Sequence, residues 1–163
     1  MNENEQKVYR VLNNLGIKYD KYEHEAVYTV DEAQKLNISM PGKHCKNLFL
    51  RNRKGKIHYL LIIDECKKAD LKSLQKQIKS TNLSFASEER LNKYLCLKPG
   101  SVTPFGLINN EDKSVQVLID RDLIGSDEIY FHPNVNTVTI GISYNDFEAF
   151  LKHTGNKFTY VSI

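Results

Sequence analysis

The segment Cys45-Lys46-Asn47-Leu48-Phe49-Leu50-Arg51-Asn52-Arg53-Lys54-Gly55-Lys56-Ile57-His58-Tyr59-Leu60-Leu61-Ile62-Ile63 decides the fold class. Two apolar runs, 45–51 and 57–63, flank a polar link that contains Gly55. That pattern predicts a β-hairpin with a glycine-bearing turn. The second run is almost uninterrupted in Leu, Ile and Tyr, which reads as a central strand.

Reading outward toward the C-terminus, Asp70 is placed to cap a helix with Leu71, Leu74 and Ile78 on one face. Ser87 is placed to cap another that carries Leu91 and Leu95. Residues 115–120, 128–132 and 137–142 read as strands. Ser143 then caps a helix with Phe147, Phe150 and Leu151 facing inward, and 157–163 reads as a closing strand. Toward the N-terminus, Val8, Leu12 and Leu15 recur at helical spacing before Gly16. Residues 18–24 alternate weakly, as a strand does. Thr29-Val30-Asp31-Glu32 is a capping box and predicts a helix running toward Leu36, with a loop over 37–42. Scattered helices and strands clustered in the second half predict an α+β class with a mixed, curved sheet.

The chain has 163 residues, which predicts one domain over 1–163 with a sizeable core. A hydrophobic content of 40% and a charged content of 26% suit a soluble globular chain, and no apolar run has the length of a membrane span. The polar, acidic start at Met1–Gln6 is no secretory signal. Cys45, Cys66 and Cys96 are odd in number and widely spaced, which predicts neither a disulfide framework nor a zinc knuckle but a reduced, cytoplasmic protein. The net charge of +3 permits contact with nucleic acid without demanding it. With no heptad pattern and no broad apolar stripe, a monomer is expected.

Three features are candidates for chemistry. Lys98-Pro99-Gly100-Ser101-Val102-Thr103-Pro104-Phe105-Gly106-Leu107 holds two prolines and two glycines in ten residues. It is expected to be a rigid loop, neither helix nor central strand, able to bring backbone N–H groups close to a ligand. Lys46 lies just inside an apolar strand, and on pattern alone a strand-end lysine reaching into water is the better reading. His132-Pro133-Asn134 ends a strand. His132 reads as a capped strand end, a metal ligand or a site residue, and Asn134 as a turn former. No other histidine has metal-ligand spacing with His132, so no zinc site is expected. No nucleophile is framed: Ser101 lacks the Gly-x-Ser-x-Gly context, no Walker or Rossmann glycine pattern occurs, and His44 and Cys45 would face opposite sides of a strand.

The segment 22–33, then Lys46-Asn47-Leu48-Phe49-Leu50, the 97–107 loop with its Gly100-x-x-x-Pro104 motif, and Phe131-His132-Pro133-Asn134 occur in a recognisable order. With them the chain resembles, over essentially its whole length, the YbaK/ProX superfamily of aminoacyl-tRNA editing domains. Within it, the chain looks most like the free-standing prolyl-tRNA editing proteins of the PrdX or ProXp-ala group. The resemblance reverses the reading of Lys46. It implies a barrel-like mixed sheet with flanking helices, and an enzyme that deacylates Ala-tRNA(Pro) with a positioned water and no metal or other cofactor. It implies that Lys46 anchors the tRNA 3′ end or its ester, and that Gly100, Ser101, Val102, Thr103 and Pro104 present backbone groups to the terminal adenosine or the aminoacyl ester. His132 and Asn134 would line the pocket, and Tyr22, Val27 and Tyr28 would form the wall that meets the amino acid. The implied partner is the tRNA(Pro) acceptor end, with prolyl-tRNA synthetase a further candidate. A Cys-tRNA(Pro) or other aminoacyl-tRNA deacylase of the superfamily, a non-catalytic tRNA-binding or regulatory protein, and a structural interaction domain are the rival readings.

Overall fold

The computed structural model describes residues 2–26 and 40–163. Val27, Tyr28 and the helix predicted from the capping box at Thr29 lie outside the described residues. The predicted hairpin forms from β2 (Lys43–Arg51) and β3 (His58–Asp64), antiparallel, with Lys46 opposite Ile63 and Asn47 opposite Ile62. Its turn is fixed by Asn52, whose side-chain oxygen accepts from the Lys56 and Ile57 amides.

Parallel strands extend the sheet on the β3 side: β5 (Gln116–Asp120) beside β3, then β8 (Phe158–Val161) beside β5. On the β2 side come β6 (Ile129–Phe131), β7 (Val138–Ile142) and β1 (Asp20–Glu23). The order is β1-β7-β6-β2-β3-β5-β8, and a two-residue β4 (Ser84–Phe85) pairs with the far end of β2. Parallel and antiparallel pairs are mixed, and the sheet stays open, with β1 and β8 at its ends. The class is α+β, as expected.

Four helices flank the sheet among the described residues: α1 (Glu3–Asn14), α2 (Leu71–Gln77), α3 (Glu88–Leu95) and α4 (Tyr144–Thr154). Each begins at a side-chain oxygen that accepts from the amide three residues on, supplied by Asn2, Asp70, Ser87 and Ser143. Alternation along the strands divides the apolar residues between two layers. Phe49, Leu60, Ile62, Phe131 and Ile140 pack with α1, α3 and α4 in the larger core, while Leu50, Leu61, Ile63 and Leu118 pack with Leu74 of α2 in a smaller one.

Two local expectations need correction. The Pro/Gly segment is not loop throughout, because Pro104–Asn109 forms a 3₁₀ helix. Pro104 holds its first position, where a missing N–H costs nothing, and the Thr103 hydroxyl accepts from the Phe105 amide. Phe105 and Leu107 are thereby drawn into the larger core, both fully buried. The closing strand is also shorter than 157–163, spanning only Phe158–Val161.

Candidate active site

β6 and β2 pair only briefly. Lys43 lies against Ile129 and His44 against Tyr130, in parallel, and beyond that point the two strands part. The register decides which side chains meet there. On β6, Ile129 and Phe131 point into the larger core, so Tyr130 and the following His132 point to the opposite face. On β2, Cys45 and Phe49 pack with that core, so His44 and Lys46 share the face of Tyr130. Lys46 therefore stands two residues beyond His44, and His132 two residues beyond Tyr130, on one face of the sheet where the strands diverge. On the same face, Tyr22 lies edge-on to Tyr130 at 6.0 Å between ring centres, and the His24 and His132 rings are 6.0 Å apart.

The gap is closed from the core side by the glycine–proline segment. The Asn47 side-chain amide donates to the Val102 carbonyl (3.1 Å), and Phe105 lies edge-on to Phe131. Gly100, exposed at φ +88°, makes the left-handed turn that glycine adopts without strain. Gly106 is required by close packing: a Cβ there would lie 2.6 Å from Leu97 Cδ1 and 3.2 Å from the Leu95 carbonyl oxygen. Thr103 and Pro104 are buried, and Ser101 nearly so, with its amide donating to the Lys98 carbonyl.

His132 is held in one form. Its Nδ1–H donates to the Val138 carbonyl at 2.9 Å, since a carbonyl only accepts. Burial lowers its pKa against a smaller upward pull from that carbonyl, with the neighbouring His24 ring adding the least, downward. The ring is thus neutral at neutral pH and keeps a lone pair on Nε2. His24 is fixed between the Glu25 carbonyl (2.7 Å) and the Thr139 hydroxyl (2.8 Å). Lys46 is half-buried, and its side chain makes no ion pair with a described residue. Cys45 offers no nucleophile, because burial first, then the carboxylates of Asp64, Glu65 and Asp120, push its thiol pKa up.

Behind the site, Asn4 joins three segments. Its side-chain oxygen accepts from both Asn134 and Asn109 (2.9 Å each), while its amide donates to the Cys96 carbonyl (2.9 Å). Asn134 itself is left-handed (φ +63°), a conformation asparagine tolerates better than most residues. The start of α1 thus ties the His132-Pro133-Asn134 turn to the end of α3. We expect Asn4→Ala to lower kcat about tenfold with KM little changed, and Asn4→Asp, which keeps both accepting bonds, to recover most of it. Equal kcat for Asn4→Ala and wild type would remove the positioning role.

Nothing local in the sequence points to Asn4, because its partners lie as much as 130 residues away. Asn47 and His24 sat inside segments already singled out, but only the register gives them partners.

The model of the aminoacyl-tRNA editing domain matches residues 24–150. The chain belongs to that family. It is 46% identical to the prolyl-tRNA editing protein ProX of Acetoanaerobium sticklandii, over 97% of this chain and 96% of that protein. It is 35% identical to the prolyl-tRNA synthetase associated domain-containing protein 1 of Bos taurus, over 89% of this chain and 86% of that one. Among solved structures, a candidate trans-editing enzyme for prolyl-tRNA synthetase superposes with a TM-score of 0.72 at 19% identity, covering 100% of this chain and 99% of that one. A hypothetical protein gives 0.74 at 20% identity, covering 96% and 99%. These two likenesses are of fold. The family is one of aminoacyl-tRNA deacylases, so the chain is an ester hydrolase by membership.

Proposed function

We propose that the protein is a trans-editing hydrolase that removes alanine from mischarged tRNA(Pro). The observation that carries this reading is the placement of Lys46 and His132 on one face of the sheet where β2 and β6 part, with the Gly100–Pro104 segment behind them. Membership of the editing family and the match to the ProX protein support the substrate class.

The chemistry asks little of the protein, because an aminoacyl ester is already activated. Water attacks the ester carbonyl carbon, and the tetrahedral oxyanion collapses. The ribose oxygen leaves carrying the proton that His132 took from the water, giving alanine and free tRNA. Neutral His132 accepts the proton of the attacking water at Nε2 and orients it. Lys46 holds the 3′ end or the developing oxyanion as a point charge. A ribose hydroxyl of the tRNA helps orient the water.

Specificity follows from size. Alanine is smaller than proline, and a synthetase pocket gains only ~1–3 kcal/mol of discrimination per missing methylene, so a second and smaller site must admit and hydrolyse the alanyl ester while excluding the bulkier prolyl group. Tyr22, edge-on to Tyr130, contributes to that wall. The partner is the tRNA(Pro) acceptor end, and the working form is a cytoplasmic monomer that associates with prolyl-tRNA synthetase.

The test is deacylation of Ala-, Cys- and Pro-tRNA(Pro) by wild type and Lys46→Ala. Rapid loss of alanine alone, reduced at least tenfold in Lys46→Ala, is the expected result. Preference for cysteine would assign the Cys-tRNA(Pro) specificity instead. Hydrolysis of none would overturn the enzyme reading.

A further inference from the structure

The net charge of +3 hides a separation of charge along the β2–β3 hairpin. At the turn end stand Arg51, Arg53, Lys54 and Lys56, joined by Arg90 and Lys93 of α3. Arg90 donates to the Gly55 carbonyl and to His58 Nε2, both at 2.9 Å. Lys93 lies over the Tyr94 ring, which in turn lies tilted against His58 with ring centres 4.1 Å apart. Burial first, then the charges of Arg90, Arg51 and Lys93, drive the His58 pKa down to about 4. None of the six makes an ion pair with a described residue.

The opposite end of the hairpin is acidic. Asp64, Asp120, Asp122, Asp127 and Glu128 gather there, and two of the lysines nearby are already paired, Lys43 with Asp64 and Lys67 with Asp120 and Asp122. Lys43 is therefore committed to Asp64 at this end.

The route between the site and the cations is also defined. On its β6 side, β2 is paired by β6 at Lys43–His44 and by β4 at Leu50–Arg51, and by no described strand between. Phe85 of β4 pairs with Leu50, so it shares the face of Lys46, and it is 62% exposed. Lys46 and Leu50 are four residues apart, about 13 Å along a strand. An exposed ring beside unpaired cations is the arrangement that holds single-stranded nucleic acid, by stacking and by phosphate contact.

We propose that the turn-end cations Arg51, Arg53, Lys54, Lys56, Arg90 and Lys93, with Phe85, form the docking surface for the acceptor arm of the RNA substrate, whose 3′ strand runs along β2 into the site. The proposal rests on the deacylase reading for its occupant, and a polyanion entering from the acidic end would meet repulsion instead.

Its test uses Arg53→Glu/Lys54→Glu/Lys56→Glu, three exposed turn residues, and separately Phe85→Ala. Two substrates are compared, full-length Ala-tRNA(Pro) and an alanylated CCA trinucleotide. The triple variant is expected to lose at least tenfold in kcat/KM on the tRNA and nothing on the trinucleotide. Its binding of uncharged tRNA(Pro) should weaken, with the slope of log affinity against log salt shallower by about two to three. Phe85→Ala is expected to weaken tRNA binding with the salt slope unchanged. Unaltered tRNA binding by the triple variant, or equal losses on both substrates, would overturn the docking surface. The binding measurement stands without catalysis, so a wild type that hydrolyses nothing would sink the deacylase reading and leave this one separately decided.

Discussion

Replacing His132 by alanine is expected to lower turnover of Ala-tRNA(Pro) by about 10²- to 10⁴-fold, the range general-base assistance supplies. KM should change little, because the ring acts on water and not on the tRNA. The Nδ1–H bond to Val138 separates catalysis from support. Asparagine can place its amide near the position of Nδ1 and keep that bond, but it has nothing at the position of Nε2. His132→Asn should therefore fold like wild type and be as inactive as His132→Ala. Activity in His132→Asn within threefold of wild type would show that the ring only supports the strand end. The pH profile carries the sign of the same argument. Burial lowers the His132 pKa from its ordinary value near 6.5. The neutral, accepting form then persists as pH falls through 6.5, and kcat should stay level there and decline only at lower pH. A decline centred at 6.5 or above would mean that the titrating group is not this buried ring.

Much of the fold is legible in the sequence because its determinants are local. Asp70, Ser87 and Ser143 bond to amides three residues away, so each helix start is written beside itself. The hairpin is likewise announced by two apolar runs and a short polar link. The 3₁₀ helix at Pro104–Asn109 is less legible, because proline and glycine usually signal a turn. What makes it helical is the burial of Phe105 and Leu107 against distant α3 and α4, a tertiary effect. The two-residue β4 carries no periodicity and exists because Leu50 and Arg51 offer it an edge.

The site is legible in another way. Lys46, His132 and the Gly100–Pro104 segment stand out by pattern, but only family resemblance turns a strand-end lysine, a capped strand end and a Pro/Gly loop into one site. Charge and pattern alone make Lys46 a solvated strand end. What the sequence cannot convey is the pairing of His44 with Tyr130, a contact between residues 86 positions apart by number. That one register turns two unrelated even-numbered residues, Lys46 and His132, toward the same space. The separation of charge is hidden for the same reason. Arg90 and Lys93 are distant in sequence from the 51–56 turn, and only the packing of α3 against β2 and β3 gathers them around His58.

Phe105→Ala should be the most damaging single truncation for stability. Phe105 is fully buried and meets Phe150 at 5.1 Å and Phe131 at 5.9 Å, both edge-on. Removing such a ring costs about 3–5 kcal/mol, the lost transfer energy plus the cavity left behind. That is a large part of the ~5–15 kcal/mol that holds a typical domain folded, and it corresponds to a fall in Tm on the order of 10 °C for a chain of this size. Urea melts of wild type, Phe105→Ala and Phe105→Leu measure it. Leucine fills most of the volume and should recover more than half of the loss. The consequence for function comes from position. Phe105 follows Pro104 directly, and its ring is the anchor that seats the glycine–proline segment between Asn47 and Phe131. Assayed well below its Tm, where it is fully folded, Phe105→Ala should still deacylate more slowly than wild type, because the segment behind Lys46 and His132 has lost its hold on the core. A cost below 1 kcal/mol would mean that the Asn47–Val102 bond and the buried Thr103 seat the segment by themselves. Wild-type activity in the folded variant would separate the seating of that segment from catalysis.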